Sequence, residues 1–525
     1  MKRILIALVV IILIASMSLV GCKKAGVTSE TPTVFTMANN IDCMWSWDPS
    51  DAFGEELPIL FELYETLTRY HPLEDELEPV LATDWSVSPD GLTWTFTLRE
   101  GVKFHCGHDF DSSDVKRSIE RTMERGMGAA FIWLAVNSIE TPDEKTVVFN
   151  LDYPVPIDLT VASAYGAFMY CMDCVEEKGE DYLSAGNELG TGPYKLQQWK
   201  RGDQVLLEKF GDYWRGWDGN HFEKVLLKVV PESGTARQML EAGQVDYVRL
   251  LPFEDIEALK QNAAFTVTAT PGFQNVYILI NTQREPTNDP RVRQALAYSV
   301  PYDQIIENVM YGYATQSVGP IPKGMWGHDD TLPQYTYDLE TARQLLTDAG
   351  YPDGGFSLMM TVASGDENHR KVAELWKAEL TKLGIDLDIR TMPFDAQWDL
   401  AKSSNLDERQ DLYILYYWPD VCSPQCYLEG CFITQTDPII FNLCYYSDPQ
   451  VDEWIIEAWE TAGRDREAAT AIYRQIQEKL IEDSPAIFLY DMQNVRVMNS
   501  SIRNFTDNPA YPYVLFIYDL YREEG

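Results

Sequence analysis

The fold of this chain is first indicated by the stretch Asp84-Trp85-Ser86-Val87-Ser88-Pro89-Asp90-Gly91-Leu92-Thr93-Trp94-Thr95-Phe96-Thr97-Leu98-Arg99. Its second half, Thr93–Leu98, alternates polar and apolar residues and is rich in β-branched and aromatic types, which predicts a half-buried β-strand. Downstream, Asp111-Ser112-Ser113-Asp114 has the composition of a helix start, with Val115, Ile119 and Met123 at helical spacing behind it. This part of the chain therefore joins a predicted strand to a predicted helix.

Strands and helices continue to alternate along the rest of the chain. Asp289-Pro290 supplies an N-cap followed by proline at the first helical position. Further predicted elements are a helix from Asp338 to Gly350, a helix over 367–383, a strand over 385–389 and a helical pair over 450–462 and 465–483. There is no internal repeat and no Pro/Gly-rich linker, so the sequence predicts an α/β or α+β protein whose domains share strands.

The first residues have the pattern of an export signal. A positive start, Met1-Lys2-Arg3, precedes an apolar run over 4–20 and the stretch Leu19-Val20-Gly21-Cys22. This order predicts a signal peptide over 1–21, and the small residues before Cys22 resemble a lipobox, which makes Cys22 the expected lipidation site of a tether over 22–31. The lipid would hold the protein at the outer face of the cytoplasmic membrane or at the periplasmic side. The alternative is an uncleaved anchor, because the run approaches the roughly 18 residues of a spanning helix.

Length and charge narrow the class of protein. The chain has 525 residues, which suits about three domains. Its formal net charge is −39 and it has no basic patch, so we predict no nucleic-acid partner. The acidic balance either favours a cationic or zwitterionic ligand or reflects a generally solvated surface.

Nine cysteines are present, and eight remain if Cys22 carries lipid. An even number in an exported protein predicts disulfides, although the pairing does not follow from the sequence. Short spacing favours a cross-link between Cys171 and Cys174 and a compact group among Cys422, Cys426, Cys431 and Cys444. Four cysteines are also a zinc ligand set, which an oxidising compartment disfavours. His105-Cys106-Gly107-His108 offers metal-binding side chains, but the chain has only six histidines, and we predict no metal site.

Several segments occur in the order found in one protein family. They are Leu63–Leu67, Glu78–Ala82, the stretch over 84–99 with its continuation from Gly101 to Val115, Gly190–Tyr194 with Asp212–Trp214, and Asp289–Leu296. On this ordered set the chain resembles the family 5 extracellular solute-binding proteins, which include dipeptide-, oligopeptide- and nickel-binding proteins. Cys106 departs from the family pattern after His105, and so does the cysteine group that begins at Cys422.

The resemblance implies an α/β, two-lobed periplasmic-binding-protein-like fold (type II, cluster C) with an extra accessory domain. Carried over to this chain, lobe I comprises 30–55, 185–277 and 488–525, the accessory domain comprises 56–184, and lobe II comprises 278–487. The two crossing segments are expected near Tyr277–Asn281 and Ser484–Asp491. Ligand binding is expected to close the lobes by hinge motion, because a ligand that contacts both lobes favours the closed state.

The same resemblance implies the binding protein of an ABC importer, with permease subunits and their ATPases as partners. It further implies a peptide ligand, no cofactor, no enzymatic activity and a monomer. In peptide-binding relatives a similar Trp–Asp–Pro stretch supplies an Asp for the ligand's α-amino group, and Asp420, four residues before Pro424, matches it. A carboxylate suits this task because it accepts charge-assisted hydrogen bonds from an ammonium. The alternative role for Asp420 is that of a surface aspartate in a turn.

Four aromatic residues complete the predicted ligand site. Trp418 is expected to stack on a ligand side chain or sugar ring, and Tyr277 matches a family position beside the crossover. Trp45 and Trp47 precede Asp48-Pro49, where the first strand of the family reaches the cleft. For each of the four, packing in the core or on the surface is the alternative.

Other functions compete with this one at the level of sequence. A hydrolase is disfavoured because the chain has no Gly-x-Ser-x-Gly, no His-Glu-x-x-His and no Gly-x-x-x-x-Gly-Lys-Ser/Thr motif. A surface adhesin or a sensor-coupled receptor would use the same binding domain with a different partner. Among binding proteins the second ligand class is an oligosaccharide, and nickel is less favoured.

Overall fold

A mixed sheet of 11 strands lies at the centre of the protein. The structure is a computed structural model that describes residues 33–436 and 439–523. The described strands are β1 (Val34–Asn39), β2 (Thr68–His71), β3 (Glu76–Pro79), β4 (Ala82–Val87), β5 (Thr93–Leu98), β6 (Val136–Asp143), β7 (Thr146–Leu151), β8 (Tyr194–Lys200), β9 (Gln204–Lys209), β10 (Lys224–Val229), β11 (Tyr247–Val248), β12 (Phe265–Ile280), β13 (Ala314–Thr315), β14 (Ser357–Ala363), β15 (Asp386–Met392), β16 (Leu412–Tyr417), β17 (Ala486–Asn499), β18 (Ile502–Arg503) and β19 (Tyr521–Arg522).

Helices are distributed between the strands along the whole described chain. They are α1 (Leu57–Leu63), α2 (Ser112–Arg125), α3 (Ile157–Thr160), α4 (Met172–Lys178), α5 (Ser233–Glu241), α6 (Phe253–Lys260), α7 (Pro290–Tyr298), α8 (Tyr302–Gln304), α9 (Leu339–Asp348), α10 (Glu367–Thr381), α11 (Phe394–Ala401), α12 (Pro424–Phe432), α13 (Pro449–Ala462) and α14 (Arg466–Asp483). Short 3-10 turns cover Ala130–Trp133, Leu406–Glu408 and Ile517–Asp519, and a π-helical turn covers Ile305–Val309.

Two long antiparallel strands, β12 and β17, connect the halves of the large sheet. The strand order is β15-β14-β16-β12-β17-β11-β1-β10-β9-β8, with β13 paired to β17. β12 pairs with β17 over 265–271, and beyond a register shift its residues 275–280 also pair with β16. These strands contain most of the two predicted crossing segments. The predicted boundaries of lobe I, lobe II and the accessory domain stay predictions, because the described residues from Val34 onward form one compact unit.

A second sheet has the strand order β4-β5-β7-β6, and helix α2, which lies between β5 and β6 in the chain, packs against β6 and β7. The strand predicted over Thr93–Leu98 is confirmed as β5, and its apolar residues Trp94, Phe96 and Leu98 are buried. The helix start predicted at Asp111 is also confirmed. The Asp111 carboxylate accepts the backbone N–H groups of Ser113 and Asp114, and the Asp114 side chain accepts that of Asp111. This reciprocal capping satisfies donors that the first helical turn leaves unpaired.

The same capping chemistry explains two further helices that the sequence predicts. Asp289 accepts the backbone N–H of Arg291 at the start of α7, and Asp338 does the same for Glu340 and Thr341 at the start of α9. The predicted helix over 367–383 ends slightly earlier, at Thr381. The helical pair predicted near the C-terminus corresponds to α13 and α14.

A buried ion pair joins α2 to the segment that follows β1. The Arg121 guanidinium donates to the two Asp48 oxygens at 2.9 and 2.6 Å, and the Ser50 hydroxyl donates to Asp48 Oδ1 at 2.6 Å. Burial raises the pKa of Asp48, but the hydrogen bonds from Arg121 and Ser50 outweigh it and leave the pKa below its usual value. Because removing one partner of such a pair costs about 3–5 kcal/mol, the contact holds the 45–50 segment firmly against α2.

Residues 153–158 pack closely on the turn between α13 and α14. A Cβ at Gly463 would lie 2.5 Å from the backbone nitrogen of Val155, so glycine is required for this approach. Beside it, Arg466 Nη2 reaches Asp158 Oδ2 at 2.5 Å. The two residues of this ion pair are 308 positions apart in the chain, so the contact joins distant segments.

The predicted signal peptide over 1–21, the tether over 22–31 and Cys22 lie outside the described residues. Within the part of the chain that the structure describes, no helix combines the length and the apolar character that a membrane crossing needs.

Candidate functional site

The loop over 418–423 lies between strand β16 and helix α12. β16 pairs antiparallel with β12, with Tyr417 opposite Asn275 at its end. Helix α12 begins at Pro424, after Ser423 in extended backbone conformation. A proline at the first helical position is favourable because its missing N–H has no helical partner there. The loop that carries Asp420 and Trp418 is therefore fixed at both ends by regular structure.

Contacts from two sides hold this loop in place. The Ser163 hydroxyl donates to the backbone carbonyl of Asp420 at 2.6 Å. The Tyr417 hydroxyl donates to the backbone carbonyl of Cys426 at 2.7 Å, in the first turn of α12. A Cβ at Gly430 would lie 2.0 Å from that hydroxyl oxygen, so only glycine permits this contact. The backbone around Asp420 is thus positioned by specific hydrogen bonds.

A cavity of about 540 Å³ opens beside the loop and includes Asp420 in its lining. One wall comes from the 131–155 region, and the other comes from α12, α13 and residues 433, 435, 440 and 441. The apolar lining includes the partly exposed side chains Phe131, Leu134, Tyr153, Ile440, Phe441 and Ile456. A cavity of this size, apolar with few polar groups, is typical of a small-molecule site.

The polar lining of this cavity is acidic. Its carboxylates are Asp420, Glu429 and Glu460, and none of the described lining residues is basic. Burial raises the pKa of Asp420 to about 7, and no described basic side chain counteracts this effect. A ligand ammonium group would supply the missing positive charge, because an opposite charge within a few ångström favours the ionised carboxylate.

The predicted aromatic residues occupy different environments, and none of the four lines the cavity. Trp418 is 40% exposed in the same loop as Asp420, and Trp45 is 74% exposed, with its indole N–H donating to the Asp42 carbonyl at 3.2 Å. Trp47 is buried and packs edge-to-face on Trp199. The first two are accessible to a ligand, whereas Trp47 has the packing role that the sequence left as its alternative.

Tyr277 is fully buried in β12. Its hydroxyl donates to the backbone carbonyl of Pro320, and its ring stacks on Tyr417 at a centroid distance of 6.1 Å. In this conformation the ring therefore packs on Tyr417, the residue before the Asp420 loop, and has no ligand-facing surface. Its predicted proximity to the ligand site is indirect, through Tyr417.

Sequence reasoning did not find Glu429 and Glu460 as site residues. Glu429 lies on α12 and Glu460 on α13, and both line the same cavity as Asp420 because these helices pack together. No motif marks either residue. Both residues lie more than one helical turn beyond the Trp418–Pro424 stretch, so the resemblance in that stretch does not extend to them.

The predicted disulfides among Cys171, Cys174, Cys422, Cys426, Cys431 and Cys444 are not formed in the structure, where the described cysteines are free. In the second group, backbone groups engage the sulfurs. Cys444 Sγ donates to the Cys431 carbonyl at 3.4 Å, and Cys426 Sγ accepts the Val421 N–H at 3.4 Å. In the first group, Cys171 Sγ and Cys174 Sγ lie beside His108 Nδ1 at 3.2 and 3.5 Å.

A second cavity, of about 700 Å³, lies between the β2–β3 hairpin and residues 505–509. It contains none of the predicted ligand residues. Its carboxylates, Glu74, Glu76, Glu78 and Asp507, belong to a different part of the surface. His71 bonds Glu78 and Arg496 bonds Asp507, so two of these acids already have cationic or titratable partners. We therefore take the cavity beside Asp420 as the candidate site.

Comparison with known proteins gives consistent matches over nearly the whole chain. The family model for "Bacterial extracellular solute-binding proteins, family 5 Middle" matches residues 76–437. The chain is 29% identical over 468 residues to the "Probable D,D-dipeptide-binding periplasmic protein DdpA" of Escherichia coli (strain K12), covering 87% of this chain and 88% of that protein. It is 27% identical over 492 residues to the "Glutathione-binding protein GsiB" of Pectobacterium atrosepticum, covering 93% of each.

A solved structure with the same architecture is also similar in sequence. It is the "ABC transporter-associated periplasmic binding protein DppA from Helicobacter pylori in complex with peptide STSA". The TM-score is 0.79 at 26% identity, and the match covers 95% of this chain and 100% of that one.

Proposed function

Because this chain belongs to the bacterial extracellular solute-binding proteins of family 5, we propose that it captures peptides with a free α-amino group and delivers them to an ABC permease. Proteins of this family are transport receptors and not enzymes, and they work with ABC permeases.

The observation that carries the proposal is the Asp420 carboxylate in the acidic cavity. Burial without a basic neighbour makes its ionised form costly, which raises its pKa to about 7. A peptide α-ammonium would offset this cost and donate charge-assisted hydrogen bonds to the carboxylate. Glu429 and Glu460 add negative potential to the same cavity and favour the same ligand charge.

The apolar walls complement the ammonium contact. Phe131, Leu134 and Ile440 offer surface to apolar ligand side chains, and burying this surface contributes about 25 cal/mol per Å². The lining includes residues that are distant in the chain, from the 131–155 region and from 417–460. A ligand that contacts both sides would favour the arrangement in which they are close together. Hinge closure is proposed on this basis.

Titration calorimetry with a matched pair of peptides tests the amino-group contact. A peptide that binds is compared with the same peptide carrying an N-terminal acetyl group, which removes the positive charge and leaves the side chains unchanged. We expect acetylation to weaken binding by at least tenfold. Equal affinities would contradict recognition through the α-amino group while leaving membership of the family untouched.

The competing ligands give distinguishable results. An oligosaccharide would bind mainly through stacking on aromatic rings such as Trp418, without a need for the Asp420 charge. A thermal-shift series with peptides, oligosaccharides and Ni²⁺ compares the classes directly, because a ligand of the folded state raises the melting temperature. The largest shift is expected with a peptide.

We further propose that the protein is a monomer anchored by lipid on Cys22, which keeps it close to its permease. A diacylglycerol supplies two acyl chains, and two are needed for stable anchoring. Metabolic labelling with a clickable fatty acid tests this point. Label is expected on the wild type and absent from Cys22→Ser, and label on both proteins would contradict lipidation of Cys22.

A further inference from the structure

A tight turn over 104–109 presents two metal-binding side chains in the same direction. The backbone N–H of Phe104 donates to the His108 carbonyl at 2.9 Å, and that of Gly107 donates to the Phe104 carbonyl at 2.9 Å. Gly107 has φ +95°, a backbone conformation that residues with a Cβ rarely adopt. The turn brings Cys106 Sγ to 3.7 Å from His108 Nδ1.

Two further thiols approach this turn from helix α4. Cys171 is the residue before the helix and Cys174 lies in its first turn, so the Cys-x-x-Cys spacing places both sulfurs on one side. Cys171 Sγ is 3.2 Å and Cys174 Sγ is 3.5 Å from His108 Nδ1. The four ligand atoms all lie within 4.8 Å of one another.

These distances agree with tetrahedral coordination of a single ion. Zinc bonds of about 2.3 Å to sulfur and about 2.0–2.1 Å to nitrogen imply nitrogen–sulfur separations of roughly 3.5–3.6 Å in a tetrahedron. The three observed nitrogen–sulfur distances, 3.2, 3.5 and 3.7 Å, lie on either side of this value. The sulfur and imidazole donor set also selects a soft or borderline metal over Mg²⁺ or Ca²⁺.

We propose that Cys106, His108, Cys171 and Cys174 form a closed, four-coordinate zinc site with a structural role. Sequence alone predicts no metal here, because the two halves of the site are 63–66 residues apart in the chain. With four protein ligands no position remains for a substrate or catalytic water, which is the pattern of structural zinc. The cavity that contains Asp420 includes none of these residues, so this is a separate site.

The neighbouring His105 is not a ligand. Its side chain is turned inward, where Nδ1 pairs with Glu188 at 2.5 Å and Nε2 contacts the Gly192 carbonyl at 2.9 Å. Both ring nitrogens are therefore occupied by protein groups. The backbone N–H of His105 also donates to the Gly190 carbonyl at 2.8 Å, which binds the turn to the 188–192 segment.

The proposed site fastens this segment from both sides. The turn over 104–109 contacts it through His105, and the backbone N–H of Cys171 donates to the Leu189 carbonyl at 3.0 Å. An ion shared between the turn and the start of α4 would link the two flanking elements. Because it closes a long loop of the unfolded chain, such a link is expected to stabilise the folded state.

The two halves of the cluster differ in exposure to solvent. Cys106 and His108 are exposed, whereas Cys171 and Cys174 are buried. The exposed pair gives an ion a route of entry, and the buried pair would hold it away from solvent.

Metal analysis of the envelope-extracted protein, purified without chelators, tests the proposal. We expect one zinc ion per chain in the wild type and in Cys43→Ala, a matched control because Cys43 is a buried cysteine outside the cluster. Loss of zinc is expected in Cys106→Ser and in His108→Gln, which change exposed side chains and are chosen to preserve folding. Cys171→Ser and Cys174→Ser change the two buried ligands, and their zinc content is measured in the same way, with loss of zinc expected.

Cobalt substitution provides a second readout, which does not depend on whether the metal is retained or acquired during purification. Adding Co²⁺ to the reduced, metal-free wild type should produce thiolate-to-cobalt charge-transfer bands and the intense visible bands of tetrahedral cobalt. Chelation should lower the melting temperature of the wild type by several degrees and leave that of Cys106→Ser unchanged. No tetrahedral cobalt spectrum, or a disulfide mapped between cluster cysteines in the isolated protein, would overturn the proposal.

Discussion

The hydroxyl of Ser163 donates a hydrogen bond of 2.6 Å to the backbone carbonyl of Asp420, 257 positions later in the chain. Ser163 itself is buried. The loop that carries the candidate ligand carboxylate is thus anchored to a segment that follows helix α3. The position of Asp420 depends on this contact as well as on β16 and α12.

Replacing Asp420 with Asn should weaken the binding of a peptide with a free α-amino group by about 10- to 150-fold. Asparagine keeps the size but removes the charge, and a hydrogen bond to a charged group contributes about 1.5–3 kcal/mol. Titration calorimetry measures the change. Asp181→Asn serves as the control because Asp181 is an exposed acid outside the cavity lining, and a similar loss in both variants would argue against a specific role for Asp420.

Peptide affinity should fall as the pH is lowered through about 7. The ammonium needs the ionised carboxylate, and Asp420 is half-protonated near pH 7 in the ligand-free protein because burial raises its pKa to about 7. Since the apparent affinity follows the ionised fraction, we expect about a tenfold loss per pH unit well below that value. The same raised pKa predicts that the free energy of unfolding of the ligand-free protein increases as the pH falls from 7 toward 4, because the folded state binds the Asp420 proton more tightly than the unfolded state does.

Calorimetric titrations between pH 5 and 8 would measure this dependence, with Asp420→Asn as the control. The asparagine variant should bind weakly and with little change over the same range. A wild-type affinity that stays constant from pH 8 to pH 5 would be inconsistent with an Asp420–ammonium pair.

Ser163→Ala should weaken peptide binding by about 2- to 10-fold without unfolding the protein. The substitution removes a hydrogen bond that contributes about 0.5–1.5 kcal/mol and leaves the Asp420 carbonyl without this donor. Affinity and melting temperature are measured side by side, with the exposed Ser184→Ala as control. An affinity equal to that of the wild type would mean that the loop holds its position without Ser163.

Gly430→Ala should destabilise the protein by about 1–3 kcal/mol, the usual cost of overpacking. The added Cβ would lie 2.0 Å from the Tyr417 hydroxyl oxygen. Tyr417→Phe removes that oxygen and the hydrogen bond to the Cys426 carbonyl. The double variant should therefore lose less stability than the sum of the single variants, because the clash and the hydroxyl are coupled.

Urea unfolding monitored by tryptophan fluorescence gives the three free energies of unfolding. Gly211→Ala is the control, since a Cβ there has open space. Strict additivity of the two substitutions would contradict the close approach between Gly430 and Tyr417.

Local patterns in the sequence predict much of the fold. Asp111, Asp289 and Asp338 cap the helices that they predict, because an N-cap interaction involves only neighbouring residues. The family and the two-lobed fold inferred from the ordered motifs are confirmed by the family match and the solved relative. These features depend on short-range chemistry or on motifs spread along the whole chain.

The arrangement of side chains at the candidate site is less accessible to sequence reasoning. Tyr277 lies in the part of β12 where consecutive residues are all buried, so a position beside the crossover does not give it access to a ligand. The cysteine prediction fails for a similar reason. Cys171 and Cys174 meet Cys106 and His108 only after α4 packs beside the 104–109 turn, and linear spacing favoured a local cross-link instead.

Native mass spectrometry of the protein, isolated under gentle conditions with its bound ligand, tests the proposed function most directly. The retained mass is released and sequenced by fragmentation. We predict peptides with free α-amino groups from the wild type and little retained peptide from Asp420→Asn. An oligosaccharide, a nickel complex or an N-terminally blocked peptide as the retained ligand would contradict peptide capture through Asp420.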